Sequence, residues 1–224
     1  MLPLRTKAQF PGIPDEVTTL PEVPIGGFLE FPVEGSPVSS PISSPSPTPG
    51  PVIPSLPSFN IHDIVGMLPR DNANVPVPAT HLKSSLTFHW EGADEIPPMG
   101  VDATVAFLRE VAQQHINRDW GGGQGGAYIM YHEAIGQNGD SYIMHDYTDV
   151  VWHSGNNEGN LSSRAILVIA SAATPPTAAQ LGAMGKRAAD FKAPVFSHLD
   201  WSPTQCPGDV IRMRVVQLRG LGYK

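Results

Sequence analysis

Cys206 stands eight positions after His198 and directly before Pro207-Gly208. It is the only cysteine in the chain, so it makes no internal disulfide. A thiolate and an imidazole are both good zinc ligands. A second histidine, His89, ends the apolar run Leu86-Thr87-Phe88 far upstream. Two histidines and one cysteine, with water in a fourth place, make the donor set of an open catalytic zinc site. The alternative at this point is a small buried hydrophobe, the commoner use of an isolated cysteine.

Such a set needs rigid elements to bring its members together. Leu82 to His89 reads as a strand running into the site. Asp102 to Asn117 reads as a helix, with Val105, Leu108, Ala112 and Ile116 on one stripe. A glycine-rich turn spans Gly121 to Gly126. It follows a helix and lacks the Gly-Lys-Ser/Thr ending of a phosphate loop, so it reads as a flexible rim. Two strands, Ala127–Ile135 and Ser141–His145, join around Asn138-Gly139, the pair best suited to a tight hairpin turn. Val150–His153 is a short extended piece, and Ile166–Ala170 a compact apolar run that reads as a buried strand. Thr177 to Gln180 forms a capping box that opens a helix carrying Leu181, Met184, Ala188 and Phe191 inward. Val195–His198 is a last strand and Asp209–Leu218 a final helix. Alternation of strands and helices predicts an α/β fold, one mixed sheet flanked by helices.

The 224 residues suit one domain plus an appendage, or two small domains. Fourteen of the 24 prolines fall in residues 1–57, and Gly35 to Pro57 carries no charged side chain. Proline lacks the N–H and fixes φ, so this part forms neither helix nor inner strand. The expected division is a proline-rich, extended arm over 1–57 and a globular domain over 58–224. The arm is either a plain tether or a strap that lies along a partner surface.

Fourteen Lys plus Arg stand against 21 Asp plus Glu, a formal net charge of −7. That argues against a nucleic-acid partner, which needs a basic surface. The N-terminus lacks the apolar core of a signal peptide, and the longest strongly apolar run, Ala165 to Ala173, is too short to span a bilayer. The expectation is a product made in the cytoplasm, without a membrane span.

Four motifs, in order, resemble one known family. His89 at a strand end resembles its first zinc ligand. Tyr131 to Gly139 is similar to its Tyr-His hairpin, and Trp152-His153-Ser154-Gly155-Asn156 to its Trp-His-Ala-Gly-Asn segment. Ser197-His198, followed by Thr204-Gln205-Cys206-Pro207-Gly208, resembles its closing motif. The family is the zinc-dependent N-acetylmuramoyl-L-alanine amidases of type 2, which includes phage lysozyme-type amidases and peptidoglycan recognition proteins. The resemblance covers roughly residues 61–220 and leaves residues 1–57 unmatched.

The resemblance implies a Zn2+ ion held by His89, His198 and Cys206, with Tyr131 and Thr204 assisting catalysis. It implies hydrolysis of the amide between muramic acid and L-alanine in bacterial peptidoglycan, by water that zinc activates near neutral pH. Glu91 departs from the family pattern and is either a base, a partner of a ligand or a rim charge. His153, beside the predicted cleft, is assigned to substrate contact or to support of a ligand, against simple packing. Trp152 is equally a cleft wall or core. His62, His81 and His115 read as surface or structural, and His132, facing away from Tyr131 along a strand, as packed.

The reading is a peptidoglycan amidase of a phage, released at lysis or carried in a virion that the arm would bind. The rivals are a non-catalytic peptidoglycan-binding protein and a structural virion protein of the same fold. A retained Cys206 argues against the first.

Overall fold

The computed structural model describes residues 58–71, 82–92, 94–118 and 127–224. The proline-rich arm, His81 and the glycine-rich turn lie outside them. Among the described residues, six strands form one sheet in the order β1-β4-β3-β5-β2-β6. They are β1 (Ile61–Asp63), β2 (Ser85–Gly92), β3 (Glu133–Ile135), β4 (Ser141–Ile143), β5 (Ser163–Ser171) and β6 (Val195–Ser197). Only β3 and β4 run antiparallel, as a hairpin around Asn138-Gly139, and every other pairing is parallel. The sheet is therefore mixed, as expected.

The helices are α1 (Val101–Asn117), α2 (Asn157–Ser162), α3 (Ala178–Phe191) and α4 (Gly208–Gly220). All nine residues of β5 are buried. This follows from its central place, with helices on both faces, which favours a continuous apolar run over alternation. Ile166, Val168 and Ala170 pack with Leu86, Phe88, Met184, Ala188, Ile211 and Val215 under α3 and α4. Leu167 and Ile169 point the other way and pack with Leu108, Val111 and Ala112 of α1.

The same two-residue alternation sets the site. Leu86 and Phe88 of β2 belong to the α3/α4 layer, so Thr87, His89 and Glu91 face the side of α1. His89 pairs in register with Leu167, near the C-terminal end of β2, the end at which parallel sheets hold ligands.

The expected capping box at the start of α3 is present: Thr177 Oγ1 accepts from Gln180 N, and Gln180 Oε1 accepts from Thr177 N. The expected strand over Ala127–Ile135 is shorter, beginning at Glu133, and Val150–His153 forms no strand. Two elements carried no sequence signal. One is β1, an edge strand that joins β4. The other is α2, which Asn156 caps by accepting from Gly159 N at 3.0 Å. No helix among the described residues is long and apolar enough to cross a membrane.

Candidate metal centre

His89 comes from the end of β2. His198 comes from the turn that leaves β6, and Cys206 from the loop that enters α4. One nitrogen from each histidine and Cys206 Sγ all lie within 4.8 Å of one another. His89 Nδ1 is 3.7 Å from Cys206 Sγ. Tetrahedral zinc at ordinary bond lengths sets a nitrogen and a sulfur ligand about 3.6 Å apart. The donor set and its spacing thus fit the ion that the sequence motifs imply. Trp90 N donates to Cys206 Sγ at 3.4 Å, a bond that favours thiolate over thiol.

The Cys206 loop is held by Trp90 of β2. Gly208 has φ +73°, and a Cβ there would collide with the indole of Trp90. Glycine is required at that turn for both reasons. It lets the Trp90 indole pack closely against the start of α4, beside the cysteine.

Protons are disfavoured throughout the centre. Burial, then the neighbouring His153 and His198, holds His89 well below the ordinary imidazole range. Burial also lowers His198, although a bond to the Ser154 backbone works the other way. Burial pushes the Cys206 thiol up to about 12, with Glu91 adding to the rise and the Trp90 N–H opposing it. Neutral imidazoles need no deprotonation to receive a cation, and a bound cation reverses the penalty on the thiolate.

His198 and Cys206 line a cleft of about 560 Å³, together with Glu91, Tyr131, Trp152, His153 and Thr204, and His89 lies buried behind them. Of the site candidates singled out from the sequence, all but His89 line this cleft, and His89 reaches it through its grouping with His198 and Cys206. Their situations differ. Tyr131 packs beside the His89 ring, at 5.1 Å between centroids. Burial raises its phenol well above the usual value, with Glu91 and Cys206 adding to the effect, so it stays a protonated donor. Thr204 Oγ1 accepts from Cys206 N at 3.2 Å, which leaves its own proton for another acceptor. Trp152 is 59% exposed, on the rim. Glu91 is half-buried, and burial raises its carboxyl to about 7.

His153 is almost fully buried. Its Nδ1 lies 2.9 Å from His89 Nε2, and its Nε2 lies 3.2 Å from the Gly159 carbonyl oxygen. Both ring nitrogens are thereby occupied, and its ring lies edge-on to that of His89.

Sequence reasoning did not find the far wall of the cleft, and it read His115, which lines that wall, as surface or structural. Gln114, His115 and Arg118, at the C-terminal end of α1, line it with the others. His115 Nδ1 accepts from Met130 N at 3.0 Å, and burial with the Arg118 charge lowers its imidazole to about 4. The helix pattern marked its inner stripe but not which end would meet the cleft. His132, read as packed, is fully buried: its Nδ1 accepts from Ala165 N, and its Nε2 donates to the Asp149 carbonyl.

A family model described as N-acetylmuramoyl-L-alanine amidase matches residues 92–209. The match starts just beyond His89 and Glu91 and takes in His198, Thr204 and Cys206. No curated protein matches the chain. Among solved structures, a peptidoglycan recognition protein-LE in complex with tracheal cytotoxin is 17% identical with TM-score 0.56, covering 73% of this chain and 94% of that one. The N-acetylmuramoyl-L-alanine amidase LysC from Clostridium intestinale is 15% identical with TM-score 0.52, covering 72% and 99%. Drosophila PGRP-LB is 16% identical with TM-score 0.55, covering 67% and 89%. At these identities the likeness is one of fold.

Proposed function

Because this chain belongs to the N-acetylmuramoyl-L-alanine amidase family, we propose that it is a zinc-dependent hydrolase of the muramoyl–L-alanine amide in peptidoglycan. The observation that carries the reading is the convergence of His89, His198 and Cys206, donor atoms within 4.8 Å, with His198 and Cys206 lining an open cleft. A recognition protein that only binds peptidoglycan has no need of a complete donor set.

His89, His198 and Cys206 would hold the ion, which when bound activates water and polarises the scissile carbonyl. The other groups act around it. The Tyr131 phenol, kept protonated by its surroundings, donates to the oxygen on which negative charge develops. Thr204, whose hydroxyl keeps a proton to give, serves the same oxygen or the leaving amine. Glu91 shares the face of His89 on β2, and a carboxyl near pH 7 takes a proton from water and returns it to the amine. The Trp152 indole on the rim offers a flat apolar face to sugar or peptide.

The setting this reading favours is a phage lysin, with residues 1–57 as the part that attaches to a virion. The support for that step is sequence composition alone. The test of the main reading is direct. Purified protein should carry one zinc per chain and, on cell walls, should release new N-terminal alanine. Reducing sugar ends without free alanine would mean a glycosidase and overturn it.

A further inference from the structure

Neither histidine of the donor set is held by the sheet alone. A carbonyl oxygen only accepts, so the contact to Gly159 O fixes the proton of neutral His153 on Nε2. His153 Nδ1 is then an acceptor, and His89 Nε2 must be the donor across 2.9 Å. This leaves His89 Nδ1 with its lone pair, on the side facing Cys206 Sγ. The chain of two imidazoles ends on α2. The other histidine, His198, bonds the backbone of Ser154, one residue along the same segment.

That segment is itself pinned at one atom. Asn160 Oδ1 accepts from His153 N, Ser154 N and Ser154 Oγ, each at 2.9 Å. Gly159 leaves no slack, since a Cβ there would sit 2.6 Å from Ser154 Oγ and 2.9 Å from the Trp201 ring.

We propose that His153 is a positioning residue, which fixes the tautomer and ring angle of His89 so that Nδ1 is presented to the ion, with the Asn160-pinned segment 153–160 as its frame. This rests on the reading of His89, His198 and Cys206 as ligands. It gives His153 no contact with substrate. Outer partners of ligating histidines change metal affinity by about 10–100-fold when removed.

The experiment compares full-length protein, His153→Leu and His153→Asn by zinc titration against a competing chelator, with 15N NMR of the histidine rings. The Asn carboxamide oxygen stands near the place of the imidazole Nδ1, so it restores the acceptor. Wild type should show His89 protonated on Nε2, with and without zinc. His153→Leu should lose about 10–100-fold in zinc affinity, and His153→Asn should recover most of it. Protonation of His89 on Nδ1 in wild type overturns the proposal without any variant. Unchanged zinc affinity in His153→Leu with reduced turnover also overturns it and makes His153 a substrate contact. Absence of zinc binding in wild type overturns the ligand reading itself, and the proposal with it.

Discussion

The indole of Trp90 packs closely against Gly208, while the Trp90 backbone N–H reaches Cys206 Sγ at 3.4 Å. One residue of β2 therefore holds both the cysteine and the turn that follows it. Gly208→Ala adds a methyl where the ring sits, at a φ of +73° that alanine resists. It should destabilise the fold by about 2 kcal/mol or more and weaken zinc binding, because the thiolate moves with the turn. Urea unfolding with and without zinc measures both. A stability within about 0.5 kcal/mol of wild type would mean that the contact has no grip on the loop.

Cys206→Ser should abolish zinc binding and turnover, since a hydroxyl is not ionised at neutral pH. Tyr131→Phe should keep one zinc per chain and lose roughly 10²-fold in rate, the scale of one lost oxyanion donor. Metal analysis beside a muropeptide assay separates them. An unchanged rate in Tyr131→Phe removes that hydroxyl from the mechanism.

Acid should unfold the metal-free protein early. His89, His132 and His153 are all held below 6.5 by burial. A lowered folded value means that the unfolded chain binds more protons, so stability falls as pH drops below 6.5. His153, at about 3, accounts by itself for roughly 5 kcal/mol at full titration. Glu91 works in the opposite sense. Its value is raised to about 7, so its contribution is complete below about 4.5 and lost as pH rises through 7. That is roughly 3 kcal/mol from one group, and several histidines outweigh it. The urea midpoint should climb between pH 4.5 and 7.5. A flat profile would mean that the imidazoles are charged or solvated in the folded state.

Residues 58–224 should fold without the arm. Phe59 packs against Gly139 and Gly182, Asn60 N donates to Asp140 Oδ1 at 2.8 Å, and β1 completes the sheet edge beside β4. Deleting 1–57 should leave the thermal midpoint and muropeptide cleavage unchanged, whereas deleting 1–63 should lower the midpoint by several degrees. If the arm is a strap, only the full chain should enter purified virions. Equal incorporation of full and truncated protein would reduce it to a tether.

The grouping of His89, His198 and Cys206 was legible in the sequence because these residue types are distinctive there: one cysteine, and histidines at strand ends. Strand β5 was legible because burial on both faces writes an unbroken apolar run. Helix α2 was not, since Asn157 to Ser162 holds its place by hydrogen bonds that the side-chain oxygens of Asn156 and Asn160 accept, with no apolar period to betray it. Support of a ligand was one role expected of His153, but its bond to His89 was not legible, because it crosses 64 positions of chain. Three-residue β1 has too few positions to show alternation, and its Ile61 is 61% exposed.

His89 and Cys206 are 117 positions apart, and β2 reaches its place only between β5 and β6. A chain still emerging from the ribosome has its first donor long before the others exist. Local pairs of cysteines can capture a metal and fold around it, but here the centre closes only after the slow, long-range pairing of the sheet is complete. A cation seated there therefore marks the finished molecule. Chains that stop short of Cys206 should pass through synthesis without acquiring metal at this centre.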